Sequence, residues 1–302
     1  MNTPTPGGDR PGVTLVVLAA GRATRYGGVK PLATVGLAGE AVLDVLASDA
    51  LSAGFERLVL VIGPETGPAI RYHVARTWPR AVRVEFARQE TPRGTVDALL
   101  AAAHLLDASS PFGVANADDL PGEAGLALLA GHLRRCEPTN AAVCYRLRDS
   151  LLGDEPVTRG LCEVDPDGML VAVDERRRVT PLAAGRIVAD DGRKPEELDP
   201  DQLVSMNLWG FRADVLDLLQ DAAAAADGHA EVLLPEVVDG MLAERRSGTA
   251  GAMEVRVLRA PGRCIGVTHP GDVALVQAEL AREVARGDRP AQLWSGLAPC
   301  RP

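Results

Sequence analysis

Lysine is almost missing from this chain: Lys30 and Lys194 stand against 30 arginines in 302 residues. Aromatic residues are also scarce, at 3%, so a core has to rest on Val, Leu and Ala. A hydrophobic content of 46% is ordinary for a globular protein with a sizeable core. No apolar run approaches the roughly 18 residues of a membrane-spanning helix, and no membrane partner is expected. The five cysteines (Cys136, Cys144, Cys162, Cys264, Cys300) are odd in number, scattered, and form no CxxC pair. That argues against a disulfide framework or structural zinc and fits the reducing cytoplasm. The histidines (His73, His104, His132, His229, His269) form no cluster, and HExxH, GxSxG and a Ser-His-Asp order are absent. The opening MNTPTPGGDRPG has no apolar signal core, so residues 1–11 are expected to be a flexible tail. A net charge of −9 disfavours nucleic acid and acidic membranes. A small anion can bind only where basic groups are locally concentrated.

One such place exists. No Asp or Glu falls between Pro11 and Gly39, while Arg22, Arg25 and Lys30 all do. A chain this biased toward Arg keeps its rare Lys where a compact ammonium suits a phosphate better than a guanidinium fork.

The first half alternates strand-like and helix-like stretches. VTLVVLA (13–19), RLVLVIG (57–63), VRVEFA (82–87) and FGVANAD (112–118) read as buried parallel strands. The intervening 40–54, 65–78 and 94–106 carry apolar residues at helical spacing. Repeated βα units predict an α/β fold: a Rossmann-like, mostly parallel mixed sheet flanked by helices, with ligands at the carboxyl ends of the strands. Beyond residue 138 the pattern is β-rich, with a hairpin turn at DPDG (165–168). Helices are expected near 213–225 and 231–244, a strand over 253–260 and a closing helix over 270–287. The expected organisation after the tail is one domain over 12–302. It divides into a nucleotide-binding half (12–138), an acceptor-binding half (139–269) with a polar surface insertion at 177–203, and a C-terminal helix and tail (270–302).

The first strand runs into AAGRATRYGGVKP (19–31), a Gly-rich turn able to expose successive N–H groups to phosphate oxygens. It is neither a Walker A loop, since Pro31 follows Lys30, nor a dinucleotide fingerprint, since Ala23 stands where the second glycine belongs. LAAGRATRYGGVKPL resembles the signature of the sugar-nucleotidyltransferase superfamily, in the compact-loop form of MobA-like and sugar-1-phosphate nucleotidyltransferases. The resemblance implies a nucleotide-binding loop of Ala20, Gly21, Arg22, Ala23 and Thr24. Within it Arg25 would stabilise the leaving pyrophosphate and Lys30 would neutralise the reacting phosphates.

Two further motifs extend the likeness. VANADDLPG (114–122) resembles the family's metal motif, which implies that Asp118 holds Mg²⁺, with Asp119 a neighbour or helix cap. RQETPRGTVDALLAA (88–102) resembles the base-reading segment, which implies nucleotide contacts from Gln89, Gly94 and Thr95 and favours a pyrimidine triphosphate (UTP, TTP or CTP). In the acceptor half, VAVDERRRV (171–179) resembles the family's E-K-P strand, with Arg in place of Lys and no Pro. Glu175 would then bind sugar hydroxyls and Arg176 the acceptor phosphate. VSMNLWGF (204–211) supplies Asn207 as a hydrogen-bond partner and Trp209 as a pocket wall or a core residue. The family's second metal carboxylate is replaced by Gly266. Asp272 either substitutes for it or caps the last helix, and Glu163 or Glu236 are other sources.

These readings converge on a nucleotidyltransferase that uses Mg²⁺ and an NTP to activate a sugar 1-phosphate or another small phosphorylated acceptor. The alternatives are a cytidylyltransferase for a phosphono- or phosphocholine-like acceptor, a nucleotide-sugar-dependent glycosyltransferase, and a non-catalytic nucleotide-binding regulator. A homo-oligomer stays open.

Overall fold

Both faces of the first strand are apolar, and the reason is visible in how it is covered. The computed structural model describes residues 12–21, 28–226, 230–248 and 253–295. In β1 (Thr14–Ala19), Leu15, Val17 and Ala19 enter one core cluster while Val16 enters another on the opposite face. A strand buried twice over reads as a continuous apolar run rather than an alternation. The chain continues through α1 (Val42–Ser52), β2 (Arg57–Ile62), α2 (Gly67–Thr77), β3 (Val84–Arg88), α3 (Thr95–Ala102) and β4 (Phe112–Asn116). These four strands are parallel, in the spatial order β4-β1-β2-β3.

The second half consists of β5 (Asp119–Leu120), α4 (Gly122–Arg134), β6 (Asn140–Arg146), β7 (Val157–Val164), β8 (Leu170–Pro181), β9 (Ile187–Ala189), β10 (Glu197–Leu198) and β11 (Leu203–Phe211). The chain closes with α5 (Val215–Ala225), α6 (Leu234–Arg246), β12 (Val255–Arg259), β13 (Ile265–Gly266) and α7 (Asp272–Arg286). β11 pairs antiparallel with β4 and joins the two halves into one mixed sheet, β10-β9-β8-β7-β11-β4-β1-β2-β3, with β6 and β12 branching from β11. α1, α2, α4 and α7 cover one face; α3, α5 and α6 cover the other. Among the described residues no helix is long and apolar enough to cross a membrane.

The polar stretch 177–203, expected as a surface insertion, carries the end of β8 together with β9 and β10 and so extends the sheet edge. The 165–168 turn forms as expected: the Asp165 carboxylate accepts from Asp167 and Met169 N–H, and Gly168 takes φ +80°. The segment beyond α7 returns to α1, where Arg289 makes a bidentate pair with buried Asp49 at 2.5 and 2.8 Å. Residues 1–11, placed in the tail by sequence, lie outside the described residues.

A candidate active site at the strand tips

The sheet order reverses beside β1, since the chain passes from β1 outward to β3 and then returns to β1's other side at β4. Ligands of open α/β sheets bind at such a switch point, outside the carboxyl ends of the strands. A cavity of about 550 Å³ lies there. It is bordered by Lys30 from the loop after β1 and by Asn116, Asp118 and Asp119 at the tip of β4. Opposite them stand residues of β7, β8, β11, the first turns of α6, and Thr268 and His269 before α7.

Lys30 opens a short 3₁₀ turn, Lys30–Leu32, anchored by buried Pro31. Its Nζ lies 3.4 Å from Asp118 Oδ2, so a cation and a carboxylate separated by 88 residues in sequence meet across the switch point. Ala20 is buried at the end of β1, and among the described residues nothing lies within 4 Å of where a Gly21 side chain would stand. Arg22, Ala23, Thr24 and Arg25 lie outside the described residues.

Asp119 turns toward Asn116, whose Nδ2 donates to Oδ2 at 3.0 Å. Burial, followed by the charge on Asp118, pushes the Asp119 carboxyl up to about 7, against the pull of Asn116, Arg159 and Lys30. Gly266 is paired with Asp119 in the β5–β13 ladder, and a Cβ there would fall 2.3 Å from Asp119 Oδ1. The glycine at the second-carboxylate position thus leaves the room that Asp119 occupies. Asp272 sits elsewhere: its Oδ2 accepts from the Thr268 and His269 N–H groups at 2.8 and 2.7 Å, buried at the start of α7. Its partners lie before α7 and no side chain caps that helix, so the carboxylate ties down the turn that leads into α7, and Asp272 does not line the cavity. Glu163 does not line it either; Glu236 does.

Among the described residues no group of three or more His, Cys, Asp or Glu side chains is gathered as a metal site. Mg²⁺ asks for less, because one or two carboxylates suffice when phosphate and water complete its shell. The Asp118–Asp119 pair, with Asp119 seated against Gly266, fits that demand.

Gln89 is buried beside a small crevice formed with Ala20, Gly63, Pro64, Glu65 and Pro92. Its Nε2 donates to Gly94 O at 3.0 Å and to Asp97 Oδ2 at 2.9 Å. Gly94 has φ +92°, and a Cβ there would strike the Val232 carbonyl at 2.3 Å, so only glycine lets the 232–234 segment pack on α3. Thr95 serves the same junction, its hydroxyl accepting from Leu234 N–H at 2.7 Å.

In the second half Glu175 lines the cavity and Arg176 does not. The reason is the two-residue period of a strand: neighbours on β8 face opposite sides. Arg176 is only 2% exposed and holds Asp191 through two bonds, at 2.7 and 3.0 Å, while its Nη2 also donates to the carbonyls of Arg193 and Pro195. That hydrogen-bonded guanidinium, helped by the N–H groups of Arg193 and Arg177, holds the Asp191 carboxyl well below the usual carboxylate range. The lowered value makes the pair stabilising above the unfolded carboxyl's pKa of about 4, and the contribution fades only as acid protonates Asp191. Arg176→Ala is therefore expected to lower the melting temperature at pH 7, with the gap to wild type closing in acid; a gap that widens below pH 4 would contradict the assignment.

Asn207 lines the cavity from a β-bulge between Ser205 and Leu208, in the left-handed region at φ +56°. Its N–H donates to Ser205 Oγ at 3.2 Å. Trp209, fully buried and stacked on Phe211, donates its indole N–H to Asn207 Oδ1 at 3.3 Å. Trp209 is thus a core residue that touches the site only through Asn207. An indole nitrogen only donates, so the amide must turn its oxygen to Trp209 and its NH₂ away from it.

Arg159, Glu236 and Asp239 add to the lining, and of these only Glu236 was singled out by sequence. Arg159 is tied to Ser150 Oγ at 3.1 Å and the Ser150 carbonyl at 2.5 Å; burial lowers its pKa while Asp119 opposes the shift. Glu236 and Asp239 come from the start of α6, and the Asp239 carboxylate accepts from Val173 N–H at 3.0 Å. No local motif marks Arg159 or Asp239. They reach the site through strand pairing and helix placement.

A lysine and an acidic pair meeting at the switch point of such a sheet are the layout of a nucleotidyltransferase. Residues 15–233 match the MobA-like NTP transferase domain, and the chain belongs to that family. It is 24% identical over 278 residues to the bifunctional protein GlmU of Sorangium cellulosum (strain So ce56). That match takes in 90% of this chain and 53% of the relative, so the chain spans about half the relative's length. Its fold is similar to that of a Bacillus anthracis protein assigned as a glucose-1-phosphate thymidylyltransferase and solved with a sucrose. The TM-score is 0.64 at 10% identity, over 89% of this chain and 95% of that one.

Proposed function

We propose that this chain transfers a nucleoside monophosphate from an NTP, with a pyrimidine preferred, to a sugar 1-phosphate or similarly small phosphorylated acceptor. The observation that carries the reading is the meeting of Lys30 with Asp118 at 3.4 Å across the switch point, on the wall of the cavity. An acceptor phosphate oxygen attacks the α-phosphorus in line, the bond to the β-bridging oxygen breaks, and pyrophosphate leaves. Such a reaction needs positioning and charge neutralisation rather than a nucleophilic side chain. Lys30 offsets charge on the reacting phosphates, with Arg25 on the leaving pyrophosphate. Asp118, aided by Asp119, would hold Mg²⁺, which supplies charge neutralisation at the phosphates when bound. Glu175 and Asn207 contact the acceptor, and Gln89 faces the base.

One observation favours a second reading of the acceptor. Three carboxylates, Glu175, Glu236 and Asp239, line the cavity, and Arg176 is turned to the opposite face of β8. Glu175 and Asp239 have arginine partners outside the lining, Arg177 at 3.6 Å and Arg246 at 3.9 Å, while Glu236 has no ion pair among the described residues. Such a surface suits hydroxyls, but it suits an ammonium group as well, as in a phosphorylated amino alcohol or amino sugar. The screen that decides is pyrophosphate release from the four NTPs and TTP, with Mg²⁺, against neutral sugar 1-phosphates, amino-sugar 1-phosphates and small phospho-amino-alcohols. The reading expects release that depends on one acceptor class. NTP binding without release against any of them would favour the regulatory alternative.

Trp209→Phe keeps the stacked ring but frees the Asn207 amide to rotate. It is expected to raise the KM for the acceptor about tenfold, the scale of one hydrogen bond, and leave the KM for NTP near wild type. An unchanged acceptor KM would remove Asn207 from acceptor binding.

A further inference from the structure

We infer that Asp97 is a positioning residue for base selection, locking the Gln89 amide so that only its oxygen faces the nucleotide. The inference rests on the nucleotidyltransferase reading and goes beyond it in naming what the base must offer. Gln89 is 5% exposed. An amide nitrogen has two N–H groups, and here one goes to Gly94 O and the other to Asp97 Oδ2, at 3.0 and 2.9 Å. Both partners only accept. The reversed amide would set Oε1 against two oxygens, so the orientation is fixed by the network.

What remains is Oε1, which has no partner among the described residues, and Gln89 borders the crevice at the ends of β1, β2 and β3. Gly63 brings backbone close to backbone, since a Cβ there would lie 2.9 Å from Ala20 O, and Pro64 and Pro92 have no N–H to offer. Asp97 is itself held, its Oδ1 accepting from Arg93 Nη2 at 3.0 Å. It stands in the first turn of α3, where a carboxylate also favours the helix dipole. A dipole role alone does not explain why the carboxylate reaches back eight residues to a buried amide.

A lone acceptor reads a base by its donor: the ring N–H of uracil, thymine or guanine, or the exocyclic amine of cytosine or adenine. A base edge that turns a carbonyl toward Oε1 is repelled. Asp97 thereby sets which edge of each base can face Gln89, and so the relative affinities of the triphosphates, without touching them.

The test is calorimetric, on the full chain with Mg²⁺ and no acceptor, for UTP, TTP, CTP, ATP and GTP. Wild type is expected to show a spread between its tightest and weakest Kd. Gln89→Leu should narrow that spread about tenfold, the scale of one lost buried hydrogen bond. Asp97→Ala should narrow it by a similar factor, and the double variant should be no narrower than Gln89→Leu, because Asp97 acts only through Gln89. Two comparisons need no variant: 3-methyl-UTP should bind wild type about tenfold more weakly than UTP, and N4,N4-dimethyl-CTP more weakly than CTP by a similar factor. Retention of the full spread in Asp97→Ala, additive effects in the double variant, or analogues that bind as well as their parents would overturn the inference. A wild type that binds no NTP would instead remove the nucleotidyltransferase reading, and the inference with it.

Discussion

Lys30→Ala lowers turnover by about 10²-fold or more while leaving the folded state nearly as stable as wild type. The two halves of that expectation come from different physics. The Lys30–Asp118 contact is long, at 3.4 Å, and its side chains are 21% and 33% exposed. A half-solvated ion pair of this kind contributes little to folding, about 0–1 kcal/mol. The same ammonium facing a triphosphate acts where charge shifts between the reacting oxygens, and loss of one such preorganised group costs about 10²–10³ in rate. Both kcat and kcat/KM should fall, with the melting temperature close to wild type. Lys30→Arg should fall between, because a planar fork does not place its charge where a compact ammonium does. Normal turnover in Lys30→Ala would end the assignment.

Asp118→Asn should abolish Mg²⁺-stimulated turnover, again by about 10² or more. The replacement keeps the side chain's shape and removes its charge, so Lys30 loses its partner and the metal loses a ligand. A readout independent of activity is Mn²⁺ binding in the presence of NTP, followed by electron paramagnetic resonance. The variant should leave most of the Mn²⁺ free at a concentration that saturates wild type. Asp272→Asn is the contrasting case. Its carboxylate is committed to the Thr268 and His269 N–H groups, so that variant should change thermal stability and leave Mn²⁺ binding in place. Unchanged metal dependence in Asp118→Asn would refute the ligand assignment.

The first half, residues 12–138, was legible from sequence because its strands are sandwiched between helices. Leu58, Leu60 and Ile62 face one core and Val59 and Val61 the other, so β2 appears in the sequence as an unbroken apolar run. The loops after such runs mark the strand tips, and Lys30 and Asp118 do meet there. The second half was less legible. Its strands pair antiparallel, and its cavity residues come from β7, β8, β11 and α6, which only the folded chain brings together. Glu175 and Arg176 illustrate a constraint that was available in the sequence: adjacent residues of a regular strand point to opposite faces of the sheet. What could not be read was the company each side chain keeps. Asp191 draws Arg176 away, Trp209 reaches the cavity only through Asn207, and Asp97 occupies the donors of Gln89.

The most direct measurement tracks the α-phosphorus. With Mg²⁺, an NTP labelled at the α-phosphate and the acceptor that supports turnover, the account predicts that the label enters a product joining nucleotide to acceptor through a diphosphate. One unlabelled pyrophosphate should be released for each product formed. Release of orthophosphate, or label remaining in free nucleotide while the acceptor is consumed, would contradict nucleotidyl transfer at this site.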